Sequence, residues 1–229
     1  MKKQLLVLTV ILVFCFGLNA QGFGVSMSYL FPHKGYFASP VAPLAFTLPL
    51  TFGDYFGFKI PLTLYNIGGM QVSDLPFGDS EKPLMGPFLS LTMGFCPMIK
   101  IPISKDKFIL EINGGWLGFQ NIKPKIMNGN MNELISISEG LSNVSSEWAF
   151  KNKFGSGWMY GGGLLYFIND KIGLKFGGQY HNAKGRLELK GDYSGYDTSG
   201  NKVETSLKYD EAKLDYRGLS LSVGVVIKN

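Results

Sequence analysis

Apolar residues recur at every second position through most of this chain. Residues 56–64 are an example, in which Phe, Phe, Ile, Leu and Leu are separated by Gly, Lys, Pro and Thr. A period of two is that of a β-strand, whose side chains point alternately to the two faces of a sheet. Eight segments share this pattern: 23–29, 44–52, 56–64, 89–103, 108–116, 158–168, 172–177 and 219–228. The sequence therefore predicts an all-β chain whose eight strands each have one apolar face.

The connections between these segments alternate in length. Hairpin loops of about 2–5 residues are the norm in compact domains, and the short connections are close to that length. The short connections are 53–55, 104–107 and 169–171, and the long ones are about 32–42, 66–86, 122–156 and 193–203. Short periplasmic turns alternating with long outer loops are typical of outer-membrane barrels. We therefore predict an eight-stranded antiparallel up-and-down transmembrane β-barrel with four long outer loops.

The distribution of charge predicts which face of the strands points outward. Within the eight segments, charged residues lie only on the face opposite the apolar one, at Lys59, Lys100, Glu111, Lys175 and Lys228. A lysine or arginine on the lipid-facing surface costs about 2–4 kcal/mol at mid-bilayer. We therefore expect the apolar face to contact lipid and the small polar face to line the interior. The alternative is a secreted, water-soluble barrel of the lipocalin type, which would need a charged outer face.

Aromatic residues and prolines refine this expectation. Aromatic residues gather near strand ends, which predicts a girdle at each membrane interface. Prolines within strands cannot donate to the ladder, so they predict bulges. The girdles would contain Phe52, Phe56, Phe108, Tyr166 and Phe176 on the inner side, and Tyr29, Trp116, Trp158, Tyr160, Tyr180 and Tyr216 on the outer side. The prolines are Pro49, Pro61, Pro97 and Pro102.

The short turns predict the register of their hairpins. A slip of one residue would move an apolar face to the wrong side, so each turn has one preferred pairing. In the second hairpin this pairing also places Lys100 opposite Glu111, two opposite charges across the strands. The predicted pairs are Phe52 with Phe56, Ile103 with Phe108, and Ile168 with Ile172.

The last two strands are expected to extend beyond the membrane as a hairpin of residues 184–192 and 204–212. Opposite-charge cross-strand pairs contribute about 0.2–1 kcal/mol each, and one register provides two of them. That register needs a bulge near a glycine to restore the apolar faces below it. It pairs Arg186 with Asp210 and Glu188 with Lys208, and after a bulge near Gly218 it pairs Phe176 with Leu219 and Leu174 with Leu221.

The first 20 residues have the pattern of a cleaved signal peptide. Two lysines precede an apolar run at residues 5–18, and Ala20 stands at the expected cleavage site. Cleavage there leaves residues 21–229 as the barrel, with Cys96 as their one cysteine, so no intrachain disulfide is expected. The net charge of +5 falls to +3 without Lys2 and Lys3, which is too small and too scattered for nucleic-acid binding.

The final strand resembles the assembly signal of Gram-negative outer-membrane barrels. It reads Arg217-Gly218-Leu219-Ser220-Leu221-Ser222-Val223, in which Gly218 is followed by apolar residues two apart, Leu221 and Val223 among them. With the signal peptide, residues 22–229 are similar to the small eight-stranded members of that class. The resemblance implies an outer-membrane location, contact with membrane lipid and insertion by the barrel-assembly machinery. The chain departs from many such barrels by ending in Lys228-Asn229 rather than in an aromatic residue.

Four charged residues are expected to form one interior layer near the periplasmic mouth. Lys59, Lys100, Glu111 and Lys175 each lie three positions from a short turn. The interior of an eight-stranded barrel is just wide enough for side chains to fill it. Buried charges need partners, so the layer predicts an ion-pair network that plugs the barrel. The alternative is a basic constriction that holds an anion, because three lysines face one glutamate.

Other candidate sites in the sequence are weaker. His181 is expected near the outer rim, where an enzyme could use a histidine, yet spacing fixes no Ser, His and carboxylate set with Ser156, Asp215 or Glu147. The sequence has two histidines, so neither a metal site nor a cofactor is expected. The loop near 122–156 carries apolar residues and a possible helix at 133–141, capped by Asn132, which predicts a surface element that binds a partner or acts as a lid.

These features leave several functions open. The first is a membrane-anchored scaffold, monomeric and non-enzymatic, that presents surface loops above a plugged lumen. The second is a narrow conduit for small hydrophobic molecules, which an apolar upper lumen and a lateral gap at the proline-bearing strands would favour. The third is a lipid-modifying barrel enzyme that uses His181.

Overall fold

The structure is a computed structural model that describes residues 22–40, 45–52, 55–104 and 107–228. The predicted signal peptide at 1–20 lies outside these residues. Within them, no helix is both long and apolar enough to cross a membrane.

Most of the described chain is β-strand, as the two-residue period predicts. The helix, α1, spans Asn128–Glu139. The strands are β1 (Gly22–Pro32), β2 (Gly35–Pro40), β3 (Ala45–Phe52), β4 (Phe56–Met70), β5 (Val72–Ser73), β6 (Phe88–Ser104), β7 (Phe108–Ile122), β8 (Ser142–Asn152), β9 (Gly155–Phe167), β10 (Ile172–Tyr196), β11 (Lys202–Asp215) and β12 (Gly218–Lys228).

A ring of eight antiparallel strands forms the barrel and confirms the predicted fold class. β1 pairs with β12, and β12 pairs with the first half of β10, which closes the ring. β2 and β3 lie one after the other between β1 and β4 and together make one wall strand. The ring continues through β4, β6, β7, β9 and β10.

The apolar face points outward, as the charge distribution predicts. Large apolar side chains on the outer surface are 40–60% exposed in many places, whereas their neighbours along each strand are buried. A water-soluble barrel would have the opposite arrangement, so the lipocalin alternative is wrong. Examples on the outer face are Phe23, Met27, Phe56, Ile99, Ile101, Ile112, Trp158, Tyr160, Phe176, Leu221, Val223 and Ile227. Tyr216, which we assigned to the outer girdle, is instead fully buried.

The predicted registers are confirmed in the hairpin ladders, with one local shift. Phe52 pairs with Phe56, and Lys100 pairs with Glu111. The third hairpin has the predicted register up to its turn, where the Ile168 N–H donates to the Ile172 carbonyl. In the second hairpin, Ser104 rather than Ile103 lies opposite Phe108, because the register shifts between Pro102 and Ser104.

The prolines disturb the ladders in two different ways. Pro102 lies at a register shift and confirms the expected bulge. Pro61 pairs with a residue of β3, and Pro97 pairs with a residue of β4. On the other side of each proline the ladder is interrupted and then resumes in the same register. Pro49 lies in an unshifted ladder opposite Lys59. A proline needs no bulge when its missing N–H falls on an interrupted side of the strand.

Above the barrel, the long connections fold into an ordered cap rather than loose loops. The second half of β10 pairs with β8 on one side and β11 on the other, and β5 pairs with the end of β11. The first connection is also largely strand, because β2 leaves only His33 and Lys34 between itself and β1. α1 packs against the cap and begins earlier than predicted, after Met127. Asn132 therefore lies inside the helix, where its side chain accepts a hydrogen bond from Ser146 Oγ at 2.5 Å.

The predicted register of the last hairpin is wrong. Arg186 lies opposite Lys213, and the barrel part pairs Phe176 with Val223, four residues from the predicted partner. The irregularity lies between Leu187 and Leu189 rather than near Gly218. Burial explains the difference, because the observed register places Ala212 and Leu214 on the buried face, where the predicted register would have placed Glu211 and Lys213. Burying apolar side chains contributes more than a surface charge pair.

Candidate functional site

The first layer of the barrel interior, next to the short turns, is ionic. Lys59, Glu111 and Lys175 are 6%, 2% and 8% exposed, and each is the fourth residue of its strand. The Lys175 ammonium donates a hydrogen bond to Glu111 Oε2 and forms an ion pair with it. Lys100 is half-buried and lies opposite Glu111 in the neighbouring strand. The structure thus places all four predicted residues on the inward face.

The middle of the lumen holds neutral polar groups. The hydroxyls of Ser28, Tyr65 and Ser220 form a closed triangle, with oxygen–oxygen distances of 2.8, 2.8 and 3.0 Å. Gln179 Nε2 donates to Asn113 Oδ1 at 2.6 Å. The triangle joins β1, β4 and β12 across the interior, so it holds together strands that are far apart in the sequence.

The outer part of the lumen is closed by packed aromatic and aliphatic side chains. Phe119 and Tyr216 are both fully buried, and their rings stack with centroids 4.4 Å apart. The Phe119 ring fills the space left by two glycines, Gly155 and Gly185. This plug is completed by further buried side chains: Leu30, Ile67, Leu117, Ala183, Leu187 and Leu214.

His181 lies beneath this plug, away from solvent. It is 3% exposed, its ring is nearly parallel to that of Tyr216 at 6.3 Å, and its Nδ1 has no hydrogen-bond partner among the described residues. Asp215 binds Arg217 instead, accepting hydrogen bonds from its Nε at 2.8 and 2.9 Å. The described residues show no contact of His181 with Ser156, Asp215 or Glu147, and no metal-binding group of His, Cys, Asp and Glu among them.

The cap has its own apolar core, continuous with the plug. Met131, Leu134 and Ile135 of α1 are buried beneath it, together with residues of the sheet. The Phe77 ring meets the rings of Trp148 and Tyr193 edge-on at 6.1 and 5.7 Å. The other face of the cap sheet is polar, as is usual for an antiparallel sheet with one solvated side.

The candidate assembly signal lies in β12, which closes the barrel. Leu221 and Val223 point outward and are 44% and 56% exposed. Gly218 lies where β12 approaches β1 closely, and a Cβ there would come within 2.9 Å of the Pro32 Cα atom. Recognition of this strand by the barrel-assembly machinery stays a prediction.

Comparison with solved structures supports this architecture. The outer membrane protein OprG from Pseudomonas aeruginosa matches over 93% of this chain and 98% of its own, with a TM-score of 0.50 and 12% identity. The fold is that of the outer-membrane β-barrels. Two further matches are looser. The match to Ail, the attachment invasion locus protein of Yersinia pestis, covers 91% of this chain and 95% of Ail, with 11% identity and a TM-score of 0.41. The match to the E. coli Outer Membrane Protein W covers 92% of this chain and 98% of that protein, with 14% identity and a TM-score of 0.39.

Sequence comparison adds no closer relationship. No protein-family model matches the chain, and no curated protein matches it. At such low identity the structural likeness establishes the fold alone. The function has to be inferred from the residues of this chain.

Sequence reasoning did not find the hydroxyl triangle, the plug or the core of the cap. The inward parity of Ser28 and Ser220 was visible, but their meeting with Tyr65 depends on strand pairing across 192 residues of chain. Phe119 keeps the two-residue period of β7, but glycines earlier in that strand hide the period in the sequence. The apolar residues of the 122–156 connection were a signal for the cap, since a mobile loop has no need of them.

Proposed function

We propose that the protein is a barrel anchored in the outer membrane that presents a rigid, folded cap at the cell surface, with a closed lumen beneath. The outer-membrane location rests on the fold and on the apolar outer face. The cap is the part offered to a partner, and the barrel is its anchor. The observation that carries this proposal is the continuous core that joins plug and cap.

The filled lumen favours a scaffold function rather than an open pore. An ion pair, a hydroxyl triangle and a stacked aromatic plug succeed one another along the interior. Each is buried, and opening a path would require several of them to separate together. Packed interiors of this kind do not deform continuously.

The order of the cap supports presentation of a fixed surface. α1 buries three apolar side chains against the sheet, and Ser136 Oγ donates to the Leu141 carbonyl at 2.6 Å to hold the turn after the helix. Opposite this buried side, Ile137 is 76% exposed.

The first experiment tests orientation with single cysteines in a Cys96→Ala background. Ser199→Cys lies in the exposed turn between β10 and β11, and Lys171→Cys lies in the exposed short turn before β10. A membrane-impermeant maleimide applied to intact cells should label Ser199→Cys, and should label Lys171→Cys only after lysis. Labelling of Lys171→Cys alone in intact cells would reverse the orientation and refute the proposal.

The second experiment tests closure in planar lipid bilayers. The wild-type barrel should give no conductance steps, and a Phe119→Ala, Tyr216→Ala double variant should leak because its plug is removed. Stable conductance by the wild-type protein would contradict the closed lumen.

One observation favours the alternative, a conduit with a lateral exit. Among the described residues, β1 pairs with β2 at one position, Leu30 with Ala38, and with β3 at three, whereas β1 and β12 pair at eleven. A conduit would release a small hydrophobic molecule into the membrane at the seam where the described ladder has fewer pairs.

Cross-linking across the seam separates the two functions. Cysteines at Leu30 and Ala38 should lock the seam between β1 and β2, and cysteines at Met27 and Val223 provide a matched lock between β1 and β12. For a conduit, uptake of a hydrophobic dye into liposomes should stop in the first variant alone and return on reduction. Equal uptake in both oxidised variants and in protein-free liposomes would exclude the conduit.

A further inference from the structure

We propose that the inner layer of the lumen binds a small anion, such as a halide, between Lys59, Lys175 and Asn113. The site is separate from the proposed function, because neither the cap nor the plug contributes to it. The evidence for it is the unbalanced charge of the layer and a buried donor that lacks an acceptor.

The charge of the layer is unbalanced. Lys175 and Glu111 form an ion pair, which satisfies one cation with one carboxylate. Lys59 is 6% exposed and interacts electrostatically with both of them, and its ammonium forms no hydrogen bond or ion pair with the described residues. An isolated buried ammonium costs several kcal/mol, so a counter-ion stabilises it strongly.

A neutral donor near the ion pair also lacks a partner. Asn113 lies two residues beyond Glu111 on the same inward face and is 4% exposed. Its Oδ1 accepts from Gln179, while its Nδ2 is buried and donates to nothing among the described residues. A buried amide N–H without an acceptor is unfavourable, and an anion in the lumen would accept from it.

Glycines line the wall beside these donors. Gly161, Gly163 and Gly177 have the inward parity of their strands, so this part of the wall carries no side chains. A Cβ at Gly163 would lie 3.6 Å from Lys175 Cε, which places the lysine stem along the bare glycine backbone. The layer lies close to the short-turn end of the barrel.

Anion binding is measured by the line width of ³⁵Cl⁻ with the purified barrel in zwitterionic micelles. The wild type should broaden the line saturably, and bromide should compete. Lys59→Met should lose this effect, whereas Lys59→Arg should keep it. Lys171→Met is the matched control, since it removes a lysine from an exposed turn and should leave binding unchanged. Heat-dependent gel mobility verifies that each variant is folded.

Glu111→Gln provides an independent reading. Removing the carboxylate leaves Lys175 free for the ion, so binding should tighten by about tenfold, as expected for the loss of a nearby like charge. Absence of saturable broadening in the wild type overturns the proposal. So does full binding by Lys59→Met. If Glu111→Gln does not fold, the Lys59→Met and Lys59→Arg pair decides the question.

Discussion

Substitution of Gly155 by alanine tests the fit between the barrel wall and the plug. A Cβ at Gly155 would lie 2.7 Å from Phe119 Cε2 and closer still to Cζ, which no relaxed structure permits. The ring cannot shift freely, because it stacks on Tyr216 and a Cβ at Gly185 would also come within 3.0 Å of its Cζ. Overpacking of a core typically costs about 1–3 kcal/mol, and we expect Gly155→Ala to lower the free energy of unfolding by this amount.

A double variant shows whether the clash is the cause. Phe119→Leu removes the ring and its stacking on Tyr216, which is worth about 0.5–1.5 kcal/mol beyond the buried area. Leucine also vacates the space that the new methyl group needs. The Gly155→Ala, Phe119→Leu variant should therefore be more stable than the sum of the single changes by about 1 kcal/mol or more.

Unfolding is measured by guanidinium titration of the refolded protein in lipid micelles, followed by tryptophan fluorescence and by heat-dependent gel mobility. Gly129→Ala is the matched control, because it makes the same change in α1 where no atom lies within 4 Å. It should be neutral or stabilising by about 0.5–1 kcal/mol, as alanine favours helix. An equal effect of Gly155→Ala and Gly129→Ala, or strict additivity in the double variant, would refute the reasoning.

Three further outcomes are expected. Val223→Arg places a charge on the lipid-facing surface and should cost up to about 2–4 kcal/mol in the same titration, whereas Ser199→Arg in the outer turn should cost nearly nothing; equal costs would contradict the outward apolar face. Ile135→Ala should raise hydrogen exchange in α1 and β8 while β12 stays protected, and uniform loss of protection would show that cap and barrel unfold as one. Burial opposes ionisation of Asp215, but Arg217 outweighs it and holds the pKa of that carboxyl below its usual range. This stabilisation is full above an unfolded-state pKa of about 3.9 and is lost as the pH falls through the lower folded-state pKa, so Asp215→Asn should flatten the stability curve there; an unchanged curve would contradict the pairing.

The local alternation of residues determined most of the barrel. The period of two fixes which side chains share a face, and a turn of three or four residues leaves little freedom in how two strands align. For that reason the alternation alone pairs Phe52 with Phe56 and Lys100 with Glu111 correctly. Inward placement of Lys59 and Lys175 follows from the same parity.

Long connections and the last hairpin were less predictable. A loop of five residues permits several registers, and weak surface charge pairs do not choose among them. The choice depended on Ala212 and Leu214, which the observed register buries opposite Leu187 and Gly185. The helix boundary at Met127 and the order of β8 likewise depend on contacts with distant strands.

By itself, the sequence determined the number of strands in the barrel ring, the outward apolar face and the charges inside. Only the tertiary structure decided that Tyr216 stacks on Phe119 within the lumen, that Ser28 and Ser220 meet Tyr65, and that the outer connections share one core. The physical reason is the distance along the chain between the residues that interact. Faces and short turns are set by neighbours along the chain, whereas the plug and the cap are set by residues that meet only when the ring closes.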